Sequence, residues 1–151
     1  MFLERAAAQS AYVGEFCPLA DVFAQAENVR ILHDWEEILY PKGDTRFSRI
    51  LKAWNELLQN ARQMPAFGVS SDKLTREEMK EGIWVEFIFE AEQESGGMPF
   101  ETLLICVKGE FRGFNIVRRT QGKYQGRCYY VDLGEGSMEP FRESLESVVT
   151  E

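Results

Sequence analysis

At Ile83 the spacing of apolar residues drops from between three and four to two, and this switch constrains the fold more than any other feature of the chain. In "IWVEFIFEA", Ile83, Val85, Phe87 and Phe89 fall on one side of an extended backbone and Trp84, Glu86, Ile88 and Glu90 on the other, because successive side chains of a strand alternate. The period of two continues through "FETLLICVK", "GFNIVRRT" and "KYQGRCYYVDL", which are separated by "EQESGGMP", "GEFR" and "QG". Alternating runs joined by short polar connections predict hairpins. Residues 83–133 therefore read as a four-stranded antiparallel meander.

Upstream, the helical period rules. In "TRFSRILKAWNELLQNARQM" the residues Phe47, Ile50, Leu51, Trp54, Leu57, Leu58 and Ala61 form one stripe, Asp44 or Thr45 caps its start, and Pro65 stops it. "NVRILHDWEEILY" shows helical spacing at Val29, Leu32, Trp35, Glu36 and Leu39, which predicts a second helix ending near Tyr40. Pro18 suits a helix N-terminus ahead of Leu19, Val22, Phe23 and Ala26, and the Ala-rich residues 2–13 suggest a further short helix. Thr75 with Glu78 has the spacing of a capping box, with Gly82 as its stop. Ser137 is placed to cap a last helix whose buried face is Phe141, Leu145, Val148 and Val149.

Helices, then strands, then a helix is the order of an α+β domain. The expected architecture is N-terminal helices packed on a four-stranded antiparallel meander sheet with a C-terminal helix. A chain of 151 residues, 44% of them hydrophobic, can bury such a core as a single domain spanning 1–151, with a helical segment at 1–64, the sheet at 83–133 and the last helix at 137–150.

Turn lengths give a register: Glu90 near Glu101, Ile105 near Ile116, Ile116 near Arg127 and Arg119 near Tyr124. It puts Val85, Phe87, Phe89, Leu104, Cys106, Val117 and Cys128 on one face. The other holds Trp84, Ile88, Leu103, Ile105, Val107, Phe114, Ile116 and Tyr129, interrupted by Glu86, Arg118 and Arg127. Both faces are too apolar to be left wet. Three coverings are open: the N-terminal helices on one side with the C-terminal helix on the other, a second copy of the chain, or a ligand.

Charge divides along the chain. Lys108, Arg112, Arg118, Arg119, Lys123 and Arg127 are opposed by Glu110 alone in their segment, whereas residues 72–101 are rich in carboxylates. Cross-strand ion pairing accounts for that division. The alternative is a ligand-binding patch of Arg118, Arg119 and Arg127 with Tyr124 and Tyr129, gripping an acidic group by guanidinium contacts and stacking. A variant of it places Glu86, Arg118, Arg127 and Tyr129 around a pocket between sheet and helices.

The formal charge of −8 argues against nucleic acid as a partner. No run is long and apolar enough for a membrane helix, and "MFLERAAAQSAYVGEF" lacks the apolar core of a signal peptide. Cys17, Cys106 and Cys128 have no paired spacing, which fits reduced thiols and a cytoplasmic location. One histidine, His33, leaves little for nucleophilic catalysis, and no zinc, calcium or phosphate-cradle pattern is present. Glu86, Glu90 and Glu101 are the remaining acid–base candidates. No catalytic residue, metal site or cofactor is assigned.

Three functions stay in play. The first is a small acidic binding protein that works through protein contacts or self-association. The second is a small-molecule-binding domain or enzyme with a pocket between sheet and helices. The third is an acidic inhibitor or antidote for a basic partner, presenting Glu77, Glu78, Glu81, Glu92 and Glu94.

Overall fold

The computed structural model describes residues 17–66 and 68–151, so the helix expected over 2–13 lies outside the described residues. A 3₁₀ helix, Pro18–Gln25, leads into strands β1 (Asn28–His33) and β2 (Glu36–Pro41), helix α1 (Thr45–Leu58) and the short strands β3 (Arg62–Met64) and β4 (Val69–Ser70). Helix α2 (Asp72–Glu78) precedes β5 (Ile83–Ser95), β6 (Met98–Val107) and β7 (Gly113–Thr120). The chain ends with β8 (Lys123–Tyr124), β9 (Gly126–Arg127), β10 (Tyr129–Asp132) and α3 (Glu139–Val149).

The fold is α+β, but its sheet is larger than a four-stranded meander. Eight strands run in the order β2-β1-β5-β6-β7-β10-β3, with β8 on β7, and these pairings are all antiparallel. β4 and β9 form a separate two-stranded sheet. The two extra strands on one side come from the segment expected to be the second helix. Val29, Ile31, Ile38 and Tyr40 also alternate, and as a hairpin they turn into the core, Tyr40 opposite Val29 and Ile38 opposite Ile31. Helical spacing and strand alternation coexist in that stretch, and pairing with β5 decides between them.

The expected strand over 123–133 is broken into β8, β9 and β10. Arg119 does face Tyr124, but the interruption at Gly126 (φ 87) moves the partner of Ile116 from Arg127 to Tyr129. Between β6 and β7 the expected register holds, with Thr102 opposite Arg119 and Leu104 opposite Val117.

Between β5 and β6 it slips by one. The turn is Gly96-Gly97, both with positive φ, the strands extend to Ser95 and Met98, and an irregularity between Ile88 and Gln93 sets Phe87 opposite Leu103 and Val85 opposite Ile105. Leu103 and Ile105 thereby join Val85 and Phe87 on one face, while Leu104 and Cys106 join Trp84. A slip of one residue exchanges faces for a whole strand.

α1 starts as its stripe predicts, with Asp44 at the N-cap accepting from the Arg46 N–H at 2.8 Å, but it ends at Leu58 rather than at Met64 before Pro65, because Arg62–Met64 pair with β10 as strand β3. α2 starts earlier than the capping-box reading, behind Ser71, so Thr75 is buried inside the helix. Met138 takes the N-cap of α3, and Ser137 Oγ accepts from the Glu139 N–H at 3.3 Å.

Both long helices and the 3₁₀ helix lie on one face of the sheet. Trp54 of α1 sits 5.0 Å from Phe23, 5.3 Å from Phe87, 5.7 Å from Phe114 and 5.2 Å from Phe141, centroid to centroid. That packing joins all the layers of the main core. The expectation of N-terminal helices on one side and the C-terminal helix on the other is corrected: α3 packs beside α1. The opposite face is closed by a smaller cluster of Leu32, Met79, Trp84, Leu104 and Tyr124, with Cys106 and Val117 against it.

Candidate functional site

A carboxylate stands at the centre of that second face. Glu86 is only 1% exposed, and it is held by one residue from each of three other strands, β1 and β6 beside it and β8 beyond. It accepts from Arg30 Nη2 of β1 at 2.5 Å, from Thr102 Oγ1 of β6 at 2.5 Å and from the Tyr124 hydroxyl of β8 at 2.7 Å. Alternation explains the gathering, since Arg30 lies opposite Glu86 and Thr102 opposite Ile88 on the same side of the pleat. A buried carboxylate is tolerable only when its lone pairs are taken up this way.

Arg30 spans the boundary between this network and solvent. Its Nη2 also meets the Tyr124 hydroxyl at 3.1 Å, and its Nη1 lies 3.5 Å from Glu37 on β2. Burial disfavours the guanidinium charge, yet the Glu86, Tyr124 and Glu37 oxygens outweigh it and hold its pKa above the ordinary value. Burial, with Glu86 adding to it, pushes the Tyr124 hydroxyl well above the normal phenol range. The Arg76 and Arg119 guanidiniums lie over the Tyr124 ring, 5.0 and 5.9 Å from its centroid. Asp72 accepts from the Tyr124 N–H at 2.8 Å and from Arg76 Nε at 3.0 Å, which ties α2 to the sheet.

Above Arg30 opens a cavity of about 210 Å³, lined by Arg30, Leu32, Trp35, Glu37, Arg76 and Met79. Trp35 is 53% exposed and occupies the tip of the β1–β2 hairpin at φ 77, after Asp34 at φ 50. Two other hairpins close with the same pair of positive φ angles, at Gly96-Gly97 and Gln121-Gly122. In both, glycine holds the second position, where an L side chain is strained. Here a tryptophan holds it. The tip is nonetheless fixed, because the Asp34 N–H donates to the Gly82 carbonyl at 2.9 Å and Asp34 Oδ1 accepts from the Gly82 N–H at 3.0 Å.

The six residues expected to bind a ligand thus fall into two groups. Glu86, Arg119 and Tyr124 meet on the second face. Arg118 and Tyr129 lie elsewhere, against the β5–β6 turn: Arg118 donates to the carbonyls of Pro99 at 2.6 Å and Arg127 at 2.8 Å, and the Tyr129 hydroxyl lies 2.9 Å from the Ser95 carbonyl. Arg127 is exposed and joins that group through its backbone. Burial raises the Tyr129 hydroxyl to about 12. Arg119 Nε is 4.0 Å from Glu101, an ion pair across β6 and β7 of the kind the charge division suggested.

Sequence reasoning missed Arg30 and Trp35, because a helical reading of 28–40 separates them from the sheet. The available signal was the alternation of Val29 and Ile31 with Arg30 and Leu32. A larger concavity of about 720 Å³ lies between α1, α3 and the 132–137 loop, lined by residues that include Glu56, Leu57, Arg62, Asp132 and Phe141. Among the described residues no helix is long and apolar enough to cross a membrane, and no cluster of three metal-ligating side chains occurs. Comparison with known proteins finds no matching family model, no matching curated protein and no matching solved structure.

Proposed function

We propose that the protein is a binding module that takes a protein partner along the open edge of β2 and across the hairpin tip at Trp35. The observation that carries this reading is Trp35 itself, a large aromatic side chain kept exposed in a backbone conformation that glycine fills in two sister turns. Strain retained at an exposed aromatic residue points to a role outside the fold's own stability, and tryptophan is the residue most enriched among interface anchors. Leu39, 51% exposed on β2, extends the apolar surface, and among the described residues no strand pairs with the outer edge of β2. A free edge offers a row of main-chain groups to an incoming strand.

On this reading Glu86, Tyr124 and Arg119 work indirectly. With Arg30 and Thr102 they bolt β1 to the body of the sheet, so the edge is presented rigid. The free thiols Cys17, Cys106 and Cys128 suit work in the cytoplasm.

The test places a photoreactive benzoylphenylalanine at residue 35 and, as a control, at Lys52 on the exposed side of α1, in the full chain expressed in its native cells. Irradiation should give an adduct of defined mass from position 35 and none from position 52. Absence of any adduct at 35 overturns the reading. A second reading, a small-molecule-binding domain, is favoured by the 720 Å³ concavity with its mixed apolar and charged wall. A metabolite that raises the thermal midpoint of the wild type but not of Phe141→Ala would support it.

A further inference from the structure

We infer that the partner at the β2 edge is a second copy of this chain, paired antiparallel through β2 about a two-fold axis at Leu39. The inference rests on the edge-binding reading above and names its occupant. A hairpin closed by a two-residue turn joins its closing residues, here His33 and Glu36, through their main-chain groups. Main-chain groups alternate direction along a strand, so Ile38 and Tyr40 also point toward β1. The Lys42 N–H, which donates to the Glu27 carbonyl at 2.8 Å, keeps the same phase beyond the strand's end. Glu37, Leu39 and Pro41 therefore turn their main-chain groups outward, and Pro41 has no N–H to offer.

A two-fold axis at Leu39 uses every outward donor on this edge. The two Leu39 residues exchange N–H and carbonyl, and each Glu37 N–H reaches the Pro41 carbonyl of the other copy. The missing Pro41 donor leaves only the Glu37 carbonyl, which water can satisfy. Side chains agree with the backbone: Leu39 meets Leu39, Ile38 lies beside Tyr40, and Glu36 lies beside Lys42 of the second copy. Shifted registers do worse. An axis at Glu37 sets Glu37 against itself, an axis at Ile38 sets Glu37 beside Leu39, and an axis at Tyr40 sets Glu36 beside Asp44. The Leu39 axis sets Glu36 of each copy beside Lys42 of the other, whereas the opposite charges that an Ile38 axis brings together, Asp34 and Lys42, include a carboxylate already bonded to the Gly82 N–H; a self-complementary strand is what a two-fold interface requires.

Sedimentation equilibrium of the purified full chain should show a monomer–dimer equilibrium. Glu36 and Lys42 are exposed, so single reversals Glu36→Lys and Lys42→Glu should leave the circular dichroism unchanged. Each turns two symmetry-related attractions into repulsions and should weaken the dimer about tenfold. The double variant should recover to within about threefold of wild type. A monomer at every concentration up to about 1 mM, or a double variant no tighter than the singles, overturns the inference. The photo-adduct at residue 35 separates the two levels of the argument. An adduct of twice the chain mass supports the second copy, an adduct of another mass refutes it while sparing the edge-binding reading, and no adduct removes both.

Discussion

Replacing Glu86 with alanine should be among the most damaging single substitutions on the second face of the sheet. The side chain is 1% exposed and takes donors from Arg30, Thr102 and Tyr124 at 2.5, 2.5 and 2.7 Å. Removing it leaves a partly buried guanidinium without its main counter-charge and two hydroxyls without an acceptor. Breaking one side of a buried pair costs about 3–5 kcal/mol, and the Arg30 side chain, 21% exposed with Glu37 3.5 Å away, keeps some compensation that holds the value near the lower end. A loss of about 3 kcal/mol against a total of roughly 5–15 kcal/mol is a large fraction of the stability. With a urea slope of about 2 kcal/mol per molar, the midpoint should fall by about 1.5 M, read from tryptophan fluorescence. Tyr124→Phe removes one donor to Glu86 and one acceptor of Arg30 Nη2, but leaves the Arg30–Glu86 charge pair in place, so its loss should be smaller, about 1–2 kcal/mol. The sharper control is the apolar pair Arg30→Met with Glu86→Leu, which should cost less than Glu86→Ala alone because no charge remains to be desolvated. A Glu86→Ala midpoint within about 0.25 M of wild type, or an apolar pair that is worse than the single variant, would refute the network as described.

Trp35→Gly should raise the urea midpoint, since glycine relieves about 1 kcal/mol of left-handed strain; a lowered midpoint would mean that the exposed ring stabilises the monomer. Thermal stability should decline as pH rises from about 9 toward 12. Tyr129 keeps its proton to about 12 and Cys17 and Cys106 to about 11 in the folded chain. The unfolded chain releases those protons near ordinary values, so alkali favours unfolding. A scanning-calorimetry midpoint that is flat across that window would contradict the burial of these groups. For the same reason, the native Cys17 thiol, raised by burial from 9.0 to about 11, should react with Ellman's reagent at pH 8 about a hundredfold more slowly than in the urea-unfolded chain; equal rates would show that its pocket opens freely.

The parts of the fold that were legible in the sequence are those where one period had no competitor. α1 was readable because its apolar stripe excludes alternation, and β6–β7 because a short connection left one register consistent with both faces. The β1–β2 hairpin was hidden for two physical reasons. Residues 29–40 satisfy both periods, and the turn that would have exposed the hairpin, Asp34-Trp35, carries none of the glycine that marks Gly96-Gly97 and Gln121-Gly122. The register of β5 on β6 failed because the irregularity between Ile88 and Gln93 is invisible in composition, and one residue of slip is enough to exchange Leu103 for Leu104 on the core face. Glu86 and Tyr124 were legible as polar interruptions of apolar strands. Their partner Arg30 was not, because its neighbourhood depends on a strand pairing 56 residues apart in sequence.

The polar network and the open edge bear on each other. Among the described residues β1 is the one strand between β2 and the remainder of the large sheet, so any partner that adds to β2 pulls on β1. Apolar contacts alone would hold β1 against β5 but would tolerate sliding, because Val29 and Ile31 pack on a face of similar side chains. A charged pair with two further donors does not tolerate it, since a slip of one residue carries Arg30 to the other side of the sheet and strands Glu86 in an apolar layer. The network therefore fixes the register of the hairpin more sharply than it adds to stability. Together with the two bonds between Asp34 and Gly82, it delivers Trp35 and the outward main-chain groups of Glu37 and Leu39 in one arrangement. An edge already held in the conformation it would dock in loses less entropy on pairing, so on the proposed reading this anchoring is what lets a short strand with two outward N–H groups serve as a docking element.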